Sequence, residues 1–321
     1  MTPAGLVLAA EIHEAGPIPF RRFMEVALYH PEYGYYRRSR DPFGKEGDFF
    51  TAEQIQPVFG ILMAARVRQL YRDLDAPADF TVVELGAGRG EMAEAFQEWH
   101  YVPVELGSGK LPEHFDGVVF ANEFFDALPV DVAVWHNGAF LEQRVGFSDG
   151  AFVWQTGGPA REEVVDYLAS YYLQPEEGQW YEANLDALAW MERIAASLDR
   201  GYAISIDYGY TRSESIRFPR GTLMGYRRHI AHEDIFRDPG ECDITAHVNF
   251  TALEEHGARL GLRRERFENL AKTILTAGEA DQFAAALAAG SEREALRRRG
   301  QLKTLLVGMG ETFQVLMQCK G

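Results

Sequence analysis

Two stretches of the chain bring together residue types that can do chemistry. The first is VVELGAGRGEM, residues 82–92, in which Gly86, Gly88 and Gly90 follow an apolar run and Glu84 stands just before them. Glycines let a backbone turn sharply and approach a ligand closely. A dinucleotide fingerprint reads G-x-G-x-x-G and needs glycine at 91. The residue there is Glu91, whose charge opposes a pyrophosphate at a helix start, so a nicotinamide dehydrogenase is rejected. Glu84 at the strand end suits a ligand with a cationic amino group. Glu105, 19 residues after Gly86, can accept from ribose hydroxyls. S-adenosylmethionine fits these features, having an ammonium, a sulfonium and no phosphate. The alternative is that the three glycines make only a strand-to-helix turn and that Glu105 is exposed.

The second stretch is ANEFFDALPVD, residues 121–131, where a buried strand runs straight into Asn122, Glu123 and Asp126. At i and i+3 the two carboxylates can face one side of a turn and contact a cationic substrate, or they can cap a helix start. Asn122 either hydrogen-bonds the cofactor or fixes the loop. Phe124 and Phe125 read as one core residue and one pocket wall. Asp207 and Tyr208, in ISIDYGY, leave another strand and are either crevice residues or part of a turn at Gly209. Thr51, in GDFFTA, either closes over the cofactor or caps the next helix. His229, His232 and His247 lack the tight spacing of a metal site, so no metal is expected.

The elements that must position these residues follow from pattern. Residues 4–15, 19–30 and 55–74 read as helices, the last with an apolar stripe at 58, 61, 62 and 65. FTVVEL, YVPVEL, DGVVFANEF and GYAISIDYGY read as strands, with EMAEAFQEW as a helix after the glycine loop. Residues 131–157 alternate apolar and polar and are broken by Asn137-Gly138 and Asp149-Gly150, which marks an antiparallel β insertion. Two helices follow, within 160–172 and 184–198. Residues 211–248 read as a long irregular segment, 249–260 as helix, 262–268 as strand, 270–305 as mostly helical, and the C-terminus as a last strand. Strand–helix alternation implies a doubly wound, Rossmann-like α/β sheet, with ligands beyond the carboxyl ends of its strands. The expected division is an N-terminal helical lid region, 1–78, and a catalytic domain, 79–321, with the β insertion 131–157 and a substrate-side loop at 211–248.

Composition narrows the class. The 321 residues carry a formal charge of −16, which argues against a broad nucleic-acid surface. The basic run Arg293–Lys303 reads as a solvated helix face. No apolar run is long enough to span a membrane, and the N-terminus lacks a basic start. The two cysteines, Cys242 and Cys319, form neither a metal spacing nor a disulfide framework, so a cytoplasmic location is expected. The insertion offers either an edge strand for a homodimer or an exposed hairpin.

The motifs GPIPFRRFMEVALYHPEYGYY, GDFFTAEQIQPVFG, VELGAGRGEM, ANEFFDALPVD, ISIDYGY, GTLMGYRRHIAHEDIFRDPGECDITAHVNFTAL and MGETFQVLMQ occur in this order. In them the chain resembles the MidA-like family of class I S-adenosylmethionine-dependent methyltransferases, the family of the mitochondrial complex I assembly factor. The resemblance runs from about residue 12 to the C-terminus. It implies protein arginine methylation, with S-adenosylmethionine as cofactor and S-adenosylhomocysteine as product. Methyl transfer to a guanidinium needs carboxylates that hold the planar cation and little acid–base power. Glu123, Asp126, Asp207, Tyr208 and His247 are the catalytic candidates. Thr51, Glu84, Gly86, Gly88, Gly90, Glu105 and Asn122 are the cofactor-binding ones. His247, in the DITAHVNF signature, is expected on the substrate side, and Tyr226, Arg227 and Arg228 can meet an acidic protein segment. The chain departs from the family between Glu105 and Asp116, where too few residues remain for a helix and a strand, so the sheet is expected to be one strand short. The alternative function is a non-catalytic family member acting as a protein-binding assembly factor. A small-molecule methyltransferase is a third reading.

Overall fold

A computed structural model describes residues 1–37, 56–105, 107–227 and 230–321. The chain folds as two units. One comprises 1–50, 126–188 and 210–252, the other 51–125, 189–209 and 253–321.

The first unit begins with α1 (Pro3–Ala15), capped by Thr2, whose Oγ1 accepts from the Gly5 N–H at 3.1 Å. In α2 (Phe20–Tyr29), Phe20, Phe23, Met24 and Ala27 recur at helical spacing and are all fully buried. They pack with Ile18, Val130, Val132, Val145, Ile244 and Ala246 in one apolar cluster. The antiparallel sheet of this unit runs β1 (Ile18–Pro19), β6 (Ala139–Ser148), β5 (Asp131–His136), β8 (Trp180–Ala183), with β7 (Ala151–Pro159) also paired to β6. The expected insertion is therefore real, but β1 and β8 extend it into a five-stranded sheet. Its hairpins turn at Asn137-Gly138 and Asp149-Gly150, all four with positive φ. Helix α4 (Glu162–Tyr171) buries Val164, Tyr167, Leu168 and Tyr171 against Tyr172, Tyr181 and Tyr210. Glu182 is buried here and accepts from the Thr222 N–H and hydroxyl and from the Leu223 N–H.

The segment expected to be irregular, 211–248, contains a small antiparallel sheet. Its central strand β10 (Met224–Arg227) pairs with β11 (Ile230–His232) and β12 (Asp243–Thr245). Strands of three or four residues are too short to show a period-2 pattern, so the sequence hid them.

The second unit is built on a mixed sheet. Its order is β13 (Arg263–Asn269), β14 (Phe313–Lys320), β9 (Leu198–Tyr210), β4 (Phe115–Asn122), β2 (Phe80–Leu85), β3 (His100–Val104). The four strands from β9 to β3 are parallel, and β13 and β14 are antiparallel additions. The chain goes from β2 outward to β3, then returns to the other side of β2 for β4, so the strand order reverses at β2. Between β3 and β4 the described residues form no further strand or helix, only the Glu105–Ser108 bridge. Helix α3 (Val58–Asp73) buries Val58, Phe59, Leu62, Met63, Val67 and Leu70 against Val82, Phe120, Ile206 and Val315. Its buried stripe is turned from the expected one, because Ile61 and Ala65 are only partly covered. Helices α5 (Leu270–Glu279) and α6 (Glu292–Lys303) follow β13.

One expected helix is absent. Residues 91–99, read as helical, are a run of turns. Their hydrogen bonds mix i→i−3 (Ala93 to Gly90, Trp99 to Phe96) with a single i→i−4 bond (Phe96 to Met92). That is too little to propagate a helix. The aromatic packing of Phe96 on Phe120, Trp99 and Tyr101 holds the segment instead.

Candidate functional site

The carboxyl ends of β2, β3, β4 and β9 carry the polar residues singled out in the second unit. After β2 the chain turns through Gly86 (φ 68°), Gly88 (φ 53°) and Gly90 (φ 77°), a left-handed region that disfavours other residues. The Gly86 N–H donates to the Val104 carbonyl at 2.9 Å, and the Gly88 N–H donates to Glu105 Oε2 at 2.8 Å. Glu105 thus ties the end of β3 to the loop. A Cβ at Gly86 would lie 3.0 Å from Phe124 Cδ2, so glycine lets the Phe124 ring rest against the turn. Phe124 meets Trp190 edge-on, with ring centroids 5.1 Å apart, and the Arg193 guanidinium sits 3.8 Å from the centre of Trp190. Phe125, 1% exposed, is therefore the core residue of that pair, and Phe124 is half-buried against the turn.

Glu84 is nearly buried and accepts a very short hydrogen bond from the Tyr101 hydroxyl. Burial pushes its carboxyl up to about 8, and the charges of Glu91 and Glu105 add to the rise. The same burial raises the Tyr101 hydroxyl.

At the exit of β4, Asn122 donates through Nδ2 to Glu123 Oε1 at 3.2 Å. Glu123 has φ 49°, and its N–H donates to the Ile206 carbonyl at 2.9 Å. Asp207, 1% exposed, accepts from the Phe125 N–H at 3.2 Å through Oδ2 and from the Tyr208 N–H at 3.0 Å through Oδ1. Through these two bonds Asp207 helps to position the loop. Tyr208 packs edge-on against Phe313 at 5.5 Å. No helix begins among residues 123–131, so Glu123 and Asp126 cap nothing there.

The expected catalytic set is divided between the units. Glu123, Asp207 and Tyr208 belong to the second, and Asp126 and His247 to the first. Asp126 is 4% exposed, and its carbonyl accepts from the Ala246 N–H. Asp126 and Asp243, the latter not anticipated, both act on the buried Tyr36 hydroxyl, which burial raises well above its ordinary range. His247 donates its N–H to Thr222 Oγ1 at 2.9 Å and meets Phe218 edge-on at 5.3 Å. Burial lowers its imidazole to about 4, so it is neutral at pH 7. Arg227 pairs with Asp238 and with Glu241. Thr51, Arg228 and His229 lie outside the described residues. No cluster of ligands that could hold a metal occurs among the described residues. A groove of about 620 Å³, lined by residues that include Arg68, Tyr71, Trp99 and His100, lies at the amino ends of β2 and β3. It is remote from the glycine loop, and the rule for open α/β sheets favours the carboxyl ends.

Sequence reasoning missed Tyr101, Trp190 and Asp243. Tyr101 pairs with Val82 across the sheet, so its reach to Glu84 depends on a register that no local pattern displays.

The loop suits an adenosylmethionine-type ligand. Three glycines expose backbone next to the carboxyl groups of Glu84, Glu105 and Glu91, an acceptor set that suits ammonium and hydroxyl groups better than phosphate.

Comparison with known proteins agrees. The model of a family described as "Putative S-adenosyl-L-methionine-dependent methyltransferase" matches residues 94–268. A Burkholderia thailandensis protein whose crystal structure holds S-adenosyl-homocysteine is 33% identical, with a TM-score of 0.85 over 99% of this chain and 92% of that one. The mitochondrial protein arginine methyltransferase NDUFAF7 homolog of Drosophila melanogaster is 28% identical over 76% of this chain and 67% of its own length. Human NDUFAF7, named in the same way, is 25% identical over 79% and 68%. The NDUFAF7 relatives are named as mitochondrial proteins, which overturns the cytoplasmic location expected from cysteine usage. With the match over more than half its length and the glycine loop built as described, the chain belongs to this family of S-adenosyl-L-methionine-dependent methyltransferases.

Proposed function

We propose that this methyltransferase acts on arginine side chains of a protein substrate. The relatives named as protein arginine methyltransferases support that reading. The observation that carries it is Glu123. A non-glycine residue at positive φ costs about 1–2 kcal/mol, and such strain is kept where the surroundings enforce it. Here the Ile206 carbonyl holds the Glu123 N–H at the mouth of the sheet. A carboxylate fixed in this way can hold a planar guanidinium by two N–H···O bonds and orient the attacking nitrogen. It can also take the proton released after transfer.

Gly86, Gly88 and Gly90 give the cofactor its close approach. Glu105 and Asn122 take its hydroxyls, and Glu84 its ammonium. The bound cofactor supplies an electrophilic methyl group. Asp207 holds the backbone of Phe125 and Tyr208.

The test is Glu123→Gln, which keeps shape and removes charge. Methyl incorporation into arginine-bearing protein should fall by about 100-fold, the scale for losing a preorganised electrostatic contact. Binding of S-adenosylhomocysteine should change less than about threefold, within the range of a rim contact. Undiminished transfer overturns the role of Glu123. Label recovered on residues other than arginine overturns the substrate assignment.

A further inference from the structure

Glu84 ends the central strand and is 6% exposed, an unusual place for a carboxyl group. Its hydrogen-bond partner is the Tyr101 hydroxyl, which reaches it from the neighbouring strand. The other titratable groups acting on it are Glu91, in the turns after the glycine loop, and Glu105, at the end of β3. Among the described residues no cation does so. Burial and these two acids hold the carboxyl protonated at neutral pH, and the Tyr101 hydrogen bond works against them by favouring the charged form. A ligand ammonium needs a carboxylate opposite it, not a carboxylic acid.

We propose that Tyr101 is a positioning residue for the methyl donor: it aims the Glu84 carboxyl and eases its ionisation, so that uptake of the ligand's ammonium drives one proton from Glu84 into solvent. This rests on the assignment of Glu84 to that ammonium. The O–H bond of Glu84 breaks, the proton passes to buffer, and an ammonium–carboxylate pair replaces the neutral acid.

Calorimetric titration of the full chain with S-adenosylhomocysteine, repeated at pH 7 in buffers of different ionisation enthalpy, counts the protons. A carboxyl titrating near 8 is about nine-tenths protonated at pH 7, so the wild type should release about 0.9 proton. 5′-Methylthioadenosine, which lacks the ammonium, should release none. Wild-type affinity should tighten about tenfold from pH 6 to 7 and only about fivefold from 7 to 8. Tyr101→Phe should still tighten about tenfold from 7 to 8, because the lost hydrogen bond moves the titration upward. Glu84→Gln should bind more weakly and release no proton.

A wild type that releases no proton overturns the proposal without any variant having to fold. A Tyr101→Phe pH profile that superimposes on the wild type removes Tyr101 from it. Glu84→Gln binding as tightly as the wild type at every pH means that the ammonium assignment itself has failed. Weaker binding by Glu84→Gln with no proton released by the wild type overturns the linkage alone.

Discussion

Replacing Gly86 by alanine tests whether the glycine loop holds the donor, and the structure sets the size of the effect. The residue has φ 68°, where an L-side chain costs about 1–2 kcal/mol. The new methyl would also meet Phe124 Cδ2 at 3.0 Å. That ring cannot simply swing aside, because it packs edge-on against both Phe125 (5.2 Å) and Trp190 (5.1 Å). Displacing a packed ring adds about 1 kcal/mol. Without ligand the loop can relax and shed this strain; binding must restore the tight turn and meet the cost in full. A penalty of about 2–3 kcal/mol corresponds to a dissociation constant about 30- to 150-fold weaker. Calorimetry with S-adenosylhomocysteine measures it, and far-UV circular dichroism checks that the variant is folded. A folded Gly86→Ala that binds within about threefold of the wild type, under 1 kcal/mol, would refute the placement of the donor at this loop.

Two further outcomes follow from named contacts. Gly117→Ala should leave little soluble folded protein, since a Cβ there would lie 1.9 Å from the Thr81 carbonyl oxygen in the middle of the parallel sheet. Gly138→Ala meets no atom within 4 Å and should lose only about 1–2 kcal/mol from its positive φ; urea melts of the two variants make the comparison. His247 is held neutral by burial, with its imidazole lowered to about 4, so the unfolded chain binds the extra proton between about pH 4 and 6.5. Its contribution to stability should be present above pH 6.5 and lost as pH falls toward 4. His247→Gln should flatten that slope in denaturant titrations across this window.

The parallel core was readable because it is written locally. FTVVEL, DGVVFAN and YAISI are apolar runs between turn signals, and such runs become strands buried on both faces. The two hairpin dipeptides and the glycine loop were legible for the same reason, since a positive φ leaves its mark in residue type. What escaped were features fixed by long-range register. Asp207 was legible as an acid at a strand exit, but its bond to the Phe125 N–H depends on β9 lying next to β4. Glu84 was legible as an acid beside the loop, but its pairing with Tyr101 depends on β2 lying next to β3. The turns at 91–99 carry a helix-like pattern that aromatic packing outweighs. Beyond residue 211, strands of three and four residues form only because Met224–Arg227 finds two partners at once.

The two bonds of Asp207 have a mechanical consequence. One oxygen grips the chain just past β4 and the other grips the chain within β9, so a single buried carboxyl group works as a tie rod between two neighbouring strand exits. Neither exit can shift alone without breaking a buried hydrogen bond. Any rearrangement that reshapes the Glu123 loop must carry Tyr208 along with it, and the two move as one rigid jaw.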